Sequence, residues 1–377
     1  MSIAFLEFYK DFFQITLFFD TDFYFLFSFS EKTKAKPFFS FLFRKNPPDS
    51  PALPHVTEIR FGFLTKKSRL CYTGCYPSGL LSCKDSNPRF QEGKAMHPKI
   101  CILGCSDGTP PQSHAVSQLK QTLADVFHLS AQINATLYET DTGRTQPPRI
   151  RAEALTAACL DPEVRAIFDV SGGDAANAVL PYLDFSLLRR HPKPFFGYSD
   201  LSVLLNPLHQ LAEFPVWYFQ PRFLSESLPA RQSFSVAFLE AQPPQFPYTF
   251  LQGNSMEGTL AGGNIRCTLK LIGTPWQPDF AGRILFLESC SGGYKRIETM
   301  LRQYQQIGAF QQCRGILLGN FTEISRQGLL PALYEMVCEI VSDPSLPIVC
   351  TTAVGHQTDS ICLPYHQVLR FRREKAQ

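Results

Sequence analysis

Pro194-Phe195-Phe196-Gly197-Tyr198-Ser199-Asp200 is a short apolar strand that breaks at a glycine and gives way to a helix, Leu201 to Leu211, despite Pro207. A continuous apolar run bounded by turn residues marks a strand buried on both faces. The same punctuation repeats outward from this point. Upstream, Lys99 to Leu103 is a strand ending at Gly104, and Ser113 to Phe127 carries helical spacing through Val116, Leu119 and Leu123. Ile150 to Leu160 is an Ala-rich helix stopped by Asp161-Pro162. Val164 to Val170 is a strand broken by Ser171-Gly172-Gly173-Asp174, and Asp174 to Leu183 reads as a helix that Asp174 can cap. Downstream, strands at Arg283–Glu288, Gly315–Gly319 and Ile348–Thr351 alternate with helices at Tyr294–Ile307 and Pro331–Val341. Strands alternating with helices predict the α/β class, with a parallel sheet covered on both faces. The stiff stretch Ala241-Gln242-Pro243-Pro244-Gln245-Phe246-Pro247 divides it. The expected organisation is a first domain over 96–240, a Pro-rich linker over 241–256 and a smaller C-terminal α/β domain over 257–377.

With 377 residues, 44% hydrophobic and 18% charged, the chain is long enough for two or three domains with their own cores. A formal net charge of +3 is too small to argue for nucleic acid or a membrane surface, and no basic run of binding length occurs. Neither a nucleic-acid partner nor stable membrane association of residues 96–377 is expected. The 12 Cys lack paired spacing, which reads as reduced thiols in a cytoplasmic protein rather than a disulfide framework. Cys71, Cys75 and Cys83 come nearest to a zinc signature but lack a well-spaced fourth ligand, so no metal and no cofactor are expected.

Composition shifts sharply before residue 96. Residues 1–45 hold 14 of the 34 Phe, and no Gly precedes Gly62. Asp20, Asp22, Glu31 and Lys32 interrupt the aromatic stretches, so no apolar span of about 20 residues forms. A secretory signal fits poorly, because Glu7 precedes the apolar stretch and no small-residue cleavage site follows it. Gln91-Glu92-Gly93 can be encoded by a string containing a strong ribosome-binding sequence, set at a workable spacing before Met96. The reading favoured is a native start at Met96, with residues 1–95 foreign to the enzyme. The alternative is a real amphipathic or interfacial extension.

Four places carry chemistry. Ser199 sits where a strand meets a helix, the setting of a nucleophile elbow, although Leu201 replaces the second Gly of the usual pattern. By spacing alone, a Ser there is more often a helix cap. Gly172-Gly173 follows a strand and lets backbone N–H groups approach a ligand, but a Gly pair is more often a plain turn. His356, after Gly355 near the end of the chain, reads unaided as a structural or surface residue. Glu288 ends an apolar strand, where a carboxylate must find a partner, and a structural ion pair is the simpler reading.

Taken in order, these fragments resemble the LD-carboxypeptidase and microcin C immunity protein family of serine peptidases. They are Ser171-Gly172-Gly173, Gly197-Tyr198-Ser199-Asp200, Gly262-Gly263-Asn264, Gly273-Thr274-Pro275, Ile284-Leu285-Phe286-Leu287-Glu288, and Gly355-His356 with Leu363-Pro364. Leu180-Pro181-Tyr182-Leu183-Asp184 adds to the likeness, which covers about residues 98–370. The resemblance implies a triad with Ser199 as nucleophile, His356 as base and Glu288 orienting the imidazole, in a cleft between the two domains. The oxyanion hole would be the N–H of Asp200 with one from Gly172 or Gly173. It also implies release of D-Ala from a murein tetrapeptide during cytoplasmic wall recycling, and a homodimer is compatible with it. One alternative is an amidase acting on a peptidyl-nucleotide antibiotic, for which Trp217 and Trp276 are candidate stacking residues, though each reads better as core. Another is a non-catalytic binding module. Ser289 follows Glu288 where relatives commonly have Asp, and Asp174 follows the Gly pair where they have Tyr or Asn, so the specificity loops depart from the family.

The segment before Met96 carries none of these motifs. A chain begun at Met96 is expected to fold and to keep the full chain's activity, checked by soluble yield and turnover of the two side by side. An insoluble shortened chain beside a soluble full one would show that the segment is structural.

Overall fold

The computed structural model describes residues 99–111 and 113–373. Of the earlier residues it describes the backbone of five strands, Ala4–Tyr9, Phe12–Phe19, Phe23–Ser30, Phe39–Phe41 and Ile59–Phe61. The start at Met96 and the reading of Cys71, Cys75 and Cys83 lie outside the described residues. Residues 91–377 cluster as one compact unit, described from here on.

Its first lobe runs β1 (Lys99–Leu103), α1 (His114–Phe127), β2 (Ser130–Ile133), α2 (Pro148–Leu160), β3 (Val164–Asp169), α3 (Phe185–Arg189), β4 (Phe195–Gly197), α4 (Ser202–Ala212), β5 (Val216–Tyr218), α5 (Phe223–Glu226) and α6 (Leu228–Phe234). Apart from the edge strand β2, the strands are short and buried almost throughout, as parallel strands covered on both faces must be. Helix α1 turns Val116, Leu119 and Leu123 inward, and α2 begins with Pro148, whose missing N–H costs nothing in a first turn.

The second lobe runs β6 (Thr249–Gln252), β7 (Ser255–Gly258), β8 (Leu260–Asn264), α7 (Ile265–Leu269), β9 (Ile284–Ser289), α8 (Tyr294–Gln306), α9 (Ala309–Gln312), β10 (Gly315–Phe321), α10 (Thr322–Arg326), α11 (Leu330–Val341), β11 (Ile348–Cys350), β12 (Leu363–Pro364) and β13 (Leu369–Arg372). The first sheet has the order β12-β5-β4-β3-β1-β2, and the second the order β6-β11-β10-β9-β8. All pairings in them are parallel except β12 on β5 and β6 on β11. No helix among the described residues is long and apolar enough to cross a membrane.

Two expectations need correction. The segment 241–256 is a connection only in its first part, because Thr249–Gln252 pairs with β11 and Ser255–Gly258 pairs with β13. Asp174 to Leu183 is not an α-helix. Ala176–Tyr182 forms 3-10 turns with Pro181 inside them, and the residue capping them, Ala175, has only a methyl group and makes no side-chain hydrogen bond to the turn. Asp174 is drawn instead into ion pairs with Arg266 and Lys270. Ser202, in the first turn of the helix after Ser199, is fully buried and bonded on both sides.

Those bonds show how the lobes meet. One hydrophobic cluster runs through both, joining Leu204 and Leu208 of α4 to Leu260, Phe286, Leu363 and Tyr365. Over it, α4 lies against the bare backbone of β8. The Asn206 amide donates to Gly262 O at 2.7 Å and accepts from Gly262 N at 2.9 Å. The Ser202 hydroxyl donates to Ser199 O at 2.7 Å and accepts from Asn264 N at 2.9 Å. Glycine is required here. A Cβ on Gly263, at φ +129°, would lie 2.4 Å from Ser202 Oγ, and one on Gly262, at φ +114°, would lie 2.2 Å from Phe286 O.

Asn206→Ala strips Gly262 N–H of its partner, whereas Gly262 O keeps the Tyr365 hydroxyl at 2.9 Å. One orphaned buried donor costs about 1–3 kcal/mol. Ser202→Ala orphans Asn264 N–H and should cost a similar amount. Urea unfolding of the two variants measures both losses; midpoints equal to wild type would show that these bonds do not hold the lobes together.

Candidate active site

Strand β4 ends at Gly197, and a Cβ there would press within 2.8 Å of Leu201 Cδ1, so the turn can fold back over Leu201 only around a glycine. Two residues on, Ser199 has φ +56°, a left-handed conformation that a non-glycine residue holds only when its surroundings impose it. This is the strand-to-helix elbow that presents a side chain at the carboxyl edge of a sheet. The constraint on Ser199 is visible on its backbone: its N–H donates to the Tyr218 hydroxyl at 3.0 Å, and its carbonyl accepts from Ser202.

Glu288, in β9, is fully buried. Its Oε2 meets His356 Nδ1 at 2.8 Å, while its Oε1 accepts from the Tyr218 hydroxyl at 2.5 Å and from Asn264 Nδ2 at 3.0 Å. An ionised carboxylate only accepts, so the imidazole proton facing it belongs on Nδ1 and Nε2 is left as the basic nitrogen. A loop after β11 carries His356 and is itself tied down: Gly355 N donates to Ser360 Oγ at 3.0 Å, and Ile361 N to Ala353 O at 2.9 Å. The Tyr198 ring packs on the imidazole with centroids 4.8 Å apart. Glu288 and His356 are thus in direct contact, and Ser199 reaches the same carboxylate through Tyr218. Among the described residues no hydrogen bond joins the Ser199 hydroxyl to His356, and nucleophile–base contacts often close only when substrate binds.

Asp200 does more than the sequence suggests. Its carboxylate is fully buried and accepts from Ser106 Oγ at 2.6 Å, Ala176 N at 2.9 Å and Lys270 Nζ at 2.6 Å. Burial works against the Lys270 charge, but its bonds to Asp200 and Asp174 outweigh this and raise its pKa above the ordinary lysine value. Asp174, Asp200 and Cys267 form a group with metal-like spacing, and the Lys270 ammonium already bridges its two carboxylates.

The loop carrying Gly172 and Gly173 is held from below. Asp107 N donates to Gly172 O at 3.0 Å, and the Asp107 carboxylate accepts from Asp174 N at 3.1 Å. At Gly173, φ +117°, a Cβ would lie 1.9 Å from that carboxylate, whereas one at Gly172 would meet nothing within 4 Å. Beneath it, buried Asp169 accepts from Ser171 Oγ at 2.6 Å and Cys105 N at 2.8 Å. Burial drives its pKa to about 6, against the lowering effect of those bonds. Trp217 is buried in a stack on Phe196, centroids 4.6 Å apart, and Trp276 is half-buried against the core.

Sequence reasoning missed Tyr218, Ser202, Lys270 and Ser106. Asn264 stood in the Gly-Gly-Asn motif without a role; here it caps α7 through Cys267 N and donates to Glu288.

Comparison with known proteins bears directly on this arrangement. The family models described as LD-carboxypeptidase N-terminal and C-terminal domains match residues 100–219 and 257–370. A probable murein peptide carboxypeptidase of Bacillus subtilis is 30% identical over 217 residues, 54% of this chain and 67% of the relative. The murein tetrapeptide carboxypeptidase of Pseudomonas aeruginosa is 28% identical over 281 residues, 68% of this chain and 89% of the relative. The ligand-free wild-type structure of the microcin C7 self-immunity protein MccF shares the fold, with a TM-score of 0.63 at 18% identity over 73% of this chain and 93% of that one. Both halves of one peptidase family therefore match in order, over more than half of the chain and on the two lobes that meet at Ser199 and Glu288: the chain belongs to the LD-carboxypeptidase family.

Proposed function

We propose that this protein is a serine-type L,D-carboxypeptidase that releases the terminal D-Ala of a murein tetrapeptide. The observation that carries the reading is the fully buried Glu288 held 2.8 Å from His356 Nδ1, with the left-handed Ser199 turn bonded to the same carboxylate through Tyr218. Ser199 Oγ attacks the scissile carbonyl while His356 Nε2 takes its proton. The proton passes to the departing D-Ala amine, and water then cleaves the acyl-enzyme by the same steps in reverse. Glu288 keeps the imidazole in the tautomer this needs. The N–H of Asp200 with that of Gly172 or Gly173 would receive the oxyanion, Gly172 bordering open space where a substrate carbonyl can approach.

Two relatives named for murein peptides favour this substrate. The amidase alternative needs an aromatic face for a nucleobase; Trp217 is spent on Phe196, and half-buried Trp276 packs against the core. The nine described cysteines are all unpaired, in keeping with murein recycling in a reducing cytoplasm.

Purified protein incubated with murein tetrapeptide should release D-Ala, and activity should survive EDTA; a loss restored by zinc would overturn the serine assignment. Ser199→Ala and His356→Ala should each lower turnover by several orders of magnitude, the double variant being about as slow as either alone. Glu288→Gln should cost less. Full turnover in Ser199→Ala would remove the nucleophile from this position.

A further inference from the structure

Tyr218 is the last residue of β5 and is fixed from both sides, in register with Gly197 of β4 and with Leu363 of β12. It is buried, and its ring stands edge-on to Phe286, centroids 5.1 Å apart. Its hydroxyl therefore has one position, and there it meets two groups. A backbone N–H can only donate, so the phenol oxygen accepts from Ser199 N at 3.0 Å. The phenol's single proton is then free for Glu288 Oε1, 2.5 Å away. The direction of the chain from Ser199 N–H through Tyr218 to Glu288 is fixed by the chemistry of its ends.

We propose that Tyr218 is a positioning residue of the reaction: one hydroxyl holds both the left-handed turn at the nucleophile and the side-chain setting of the triad acid. The proposal rests on the serine-hydrolase reading above and assigns a role that reading lacks. Ser199 N–H is spent on Tyr218, so it is not a donor to the oxyanion, and that duty falls on other backbone groups. Burial and the neighbouring Glu288 hold the Tyr218 pKa well above the usual tyrosine value, so the hydroxyl keeps the proton it donates. A shift of Glu288 carries His356 with it, and a shift of Ser199 moves the attacking oxygen, so both ends of the proton path depend on this contact.

Tyr218→Phe in the full chain keeps the ring and deletes only the hydroxyl. Loss of positioning should lower kcat for D-Ala release by about 10- to 100-fold with KM little changed. Labelling of Ser199 by a fluorophosphonate, which reads nucleophile reactivity without any peptide, should slow by a similar factor. Added to Glu288→Gln, Tyr218→Phe should cost less than it does alone, because part of its effect runs through that carboxylate and part through the Ser199 turn. Tyr365→Phe is the control: it deletes another buried hydroxyl, bonded to Gly262 O at 2.9 Å, and should leave the labelling rate nearly unchanged. Wild-type labelling rate and kcat in folded Tyr218→Phe, or a full additional loss on top of Glu288→Gln, would overturn the role. If Tyr218→Phe does not fold, trifluorotyrosine at 218 keeps the ring and its hydroxyl, with fluorine in place of three ring hydrogens, and makes the hydroxyl more acidic; a labelling rate identical to wild type would then overturn it. Absence of labelling in the wild type would instead overturn the serine reading itself.

Discussion

Everything in the site depends on how closely α4 approaches β8. A helix normally rests on a neighbouring strand through a layer of side chains, but here the strand presents Gly262 and Gly263, and the helix reaches its backbone directly through Asn206 and Ser202. Close approach of this kind fixes position as a hydrogen-bonded ladder does and leaves little room for sliding. It sets the helix that begins just after Ser199 beside the strand that pairs with β9, and β9 carries Glu288. The relative placement of Ser199 and Glu288 is therefore set by a backbone contact.

Two carboxylates with no exposure to water flank this contact. Glu288 takes its donors from Tyr218 of the first lobe and from Asn264 and His356 of the second. Asp200 takes two from its own lobe and the ammonium of Lys270 from the other. A buried charge is tolerable only while its partners stay in place, and removal of one partner is far more damaging than exchange of the whole set. Parting the lobes would strand both charges together, so electrostatics and packing enforce the same geometry. The backbone strain at Ser199 is sustained by that surplus.

How much of this was legible in the sequence follows from how local each signal is. The strand Ile284–Ser289 announces itself by an unbroken apolar run, and the elbow by Gly197 and the switch of period after it. The order of six short motifs carried the family, and with it Glu288 and His356. The misses were non-local or masked by composition. Tyr218 stands in the run Val216-Trp217-Tyr218-Phe219 and reads as one more core aromatic. Ser202 and Lys270 look ordinary because what distinguishes them lies 62 and 70 positions away. Strand β12 is two residues long, too short for any periodicity. Between 174 and 183 the helical pattern was real, but Pro181 favours tighter turns, and Asp174 had a better partner than the helix end.

The returning strand β12 has a temporal meaning. It closes the edge of the first sheet beside β5, and just beyond it His366 reaches Val216 across 150 positions of chain. A polypeptide emerging from the ribosome in order would expose Ser199 and its helix long before Glu288, His356 or Leu363 existed to meet them. The early half can collapse around its own apolar cluster, but the edge of its sheet stays open and Tyr218 stays without one neighbour until the final stretch arrives. Non-local closure of this kind is slow. It gives the nascent chain a built-in delay between synthesis of the Ser199 turn and the arrival of Glu288, His356 and Leu363.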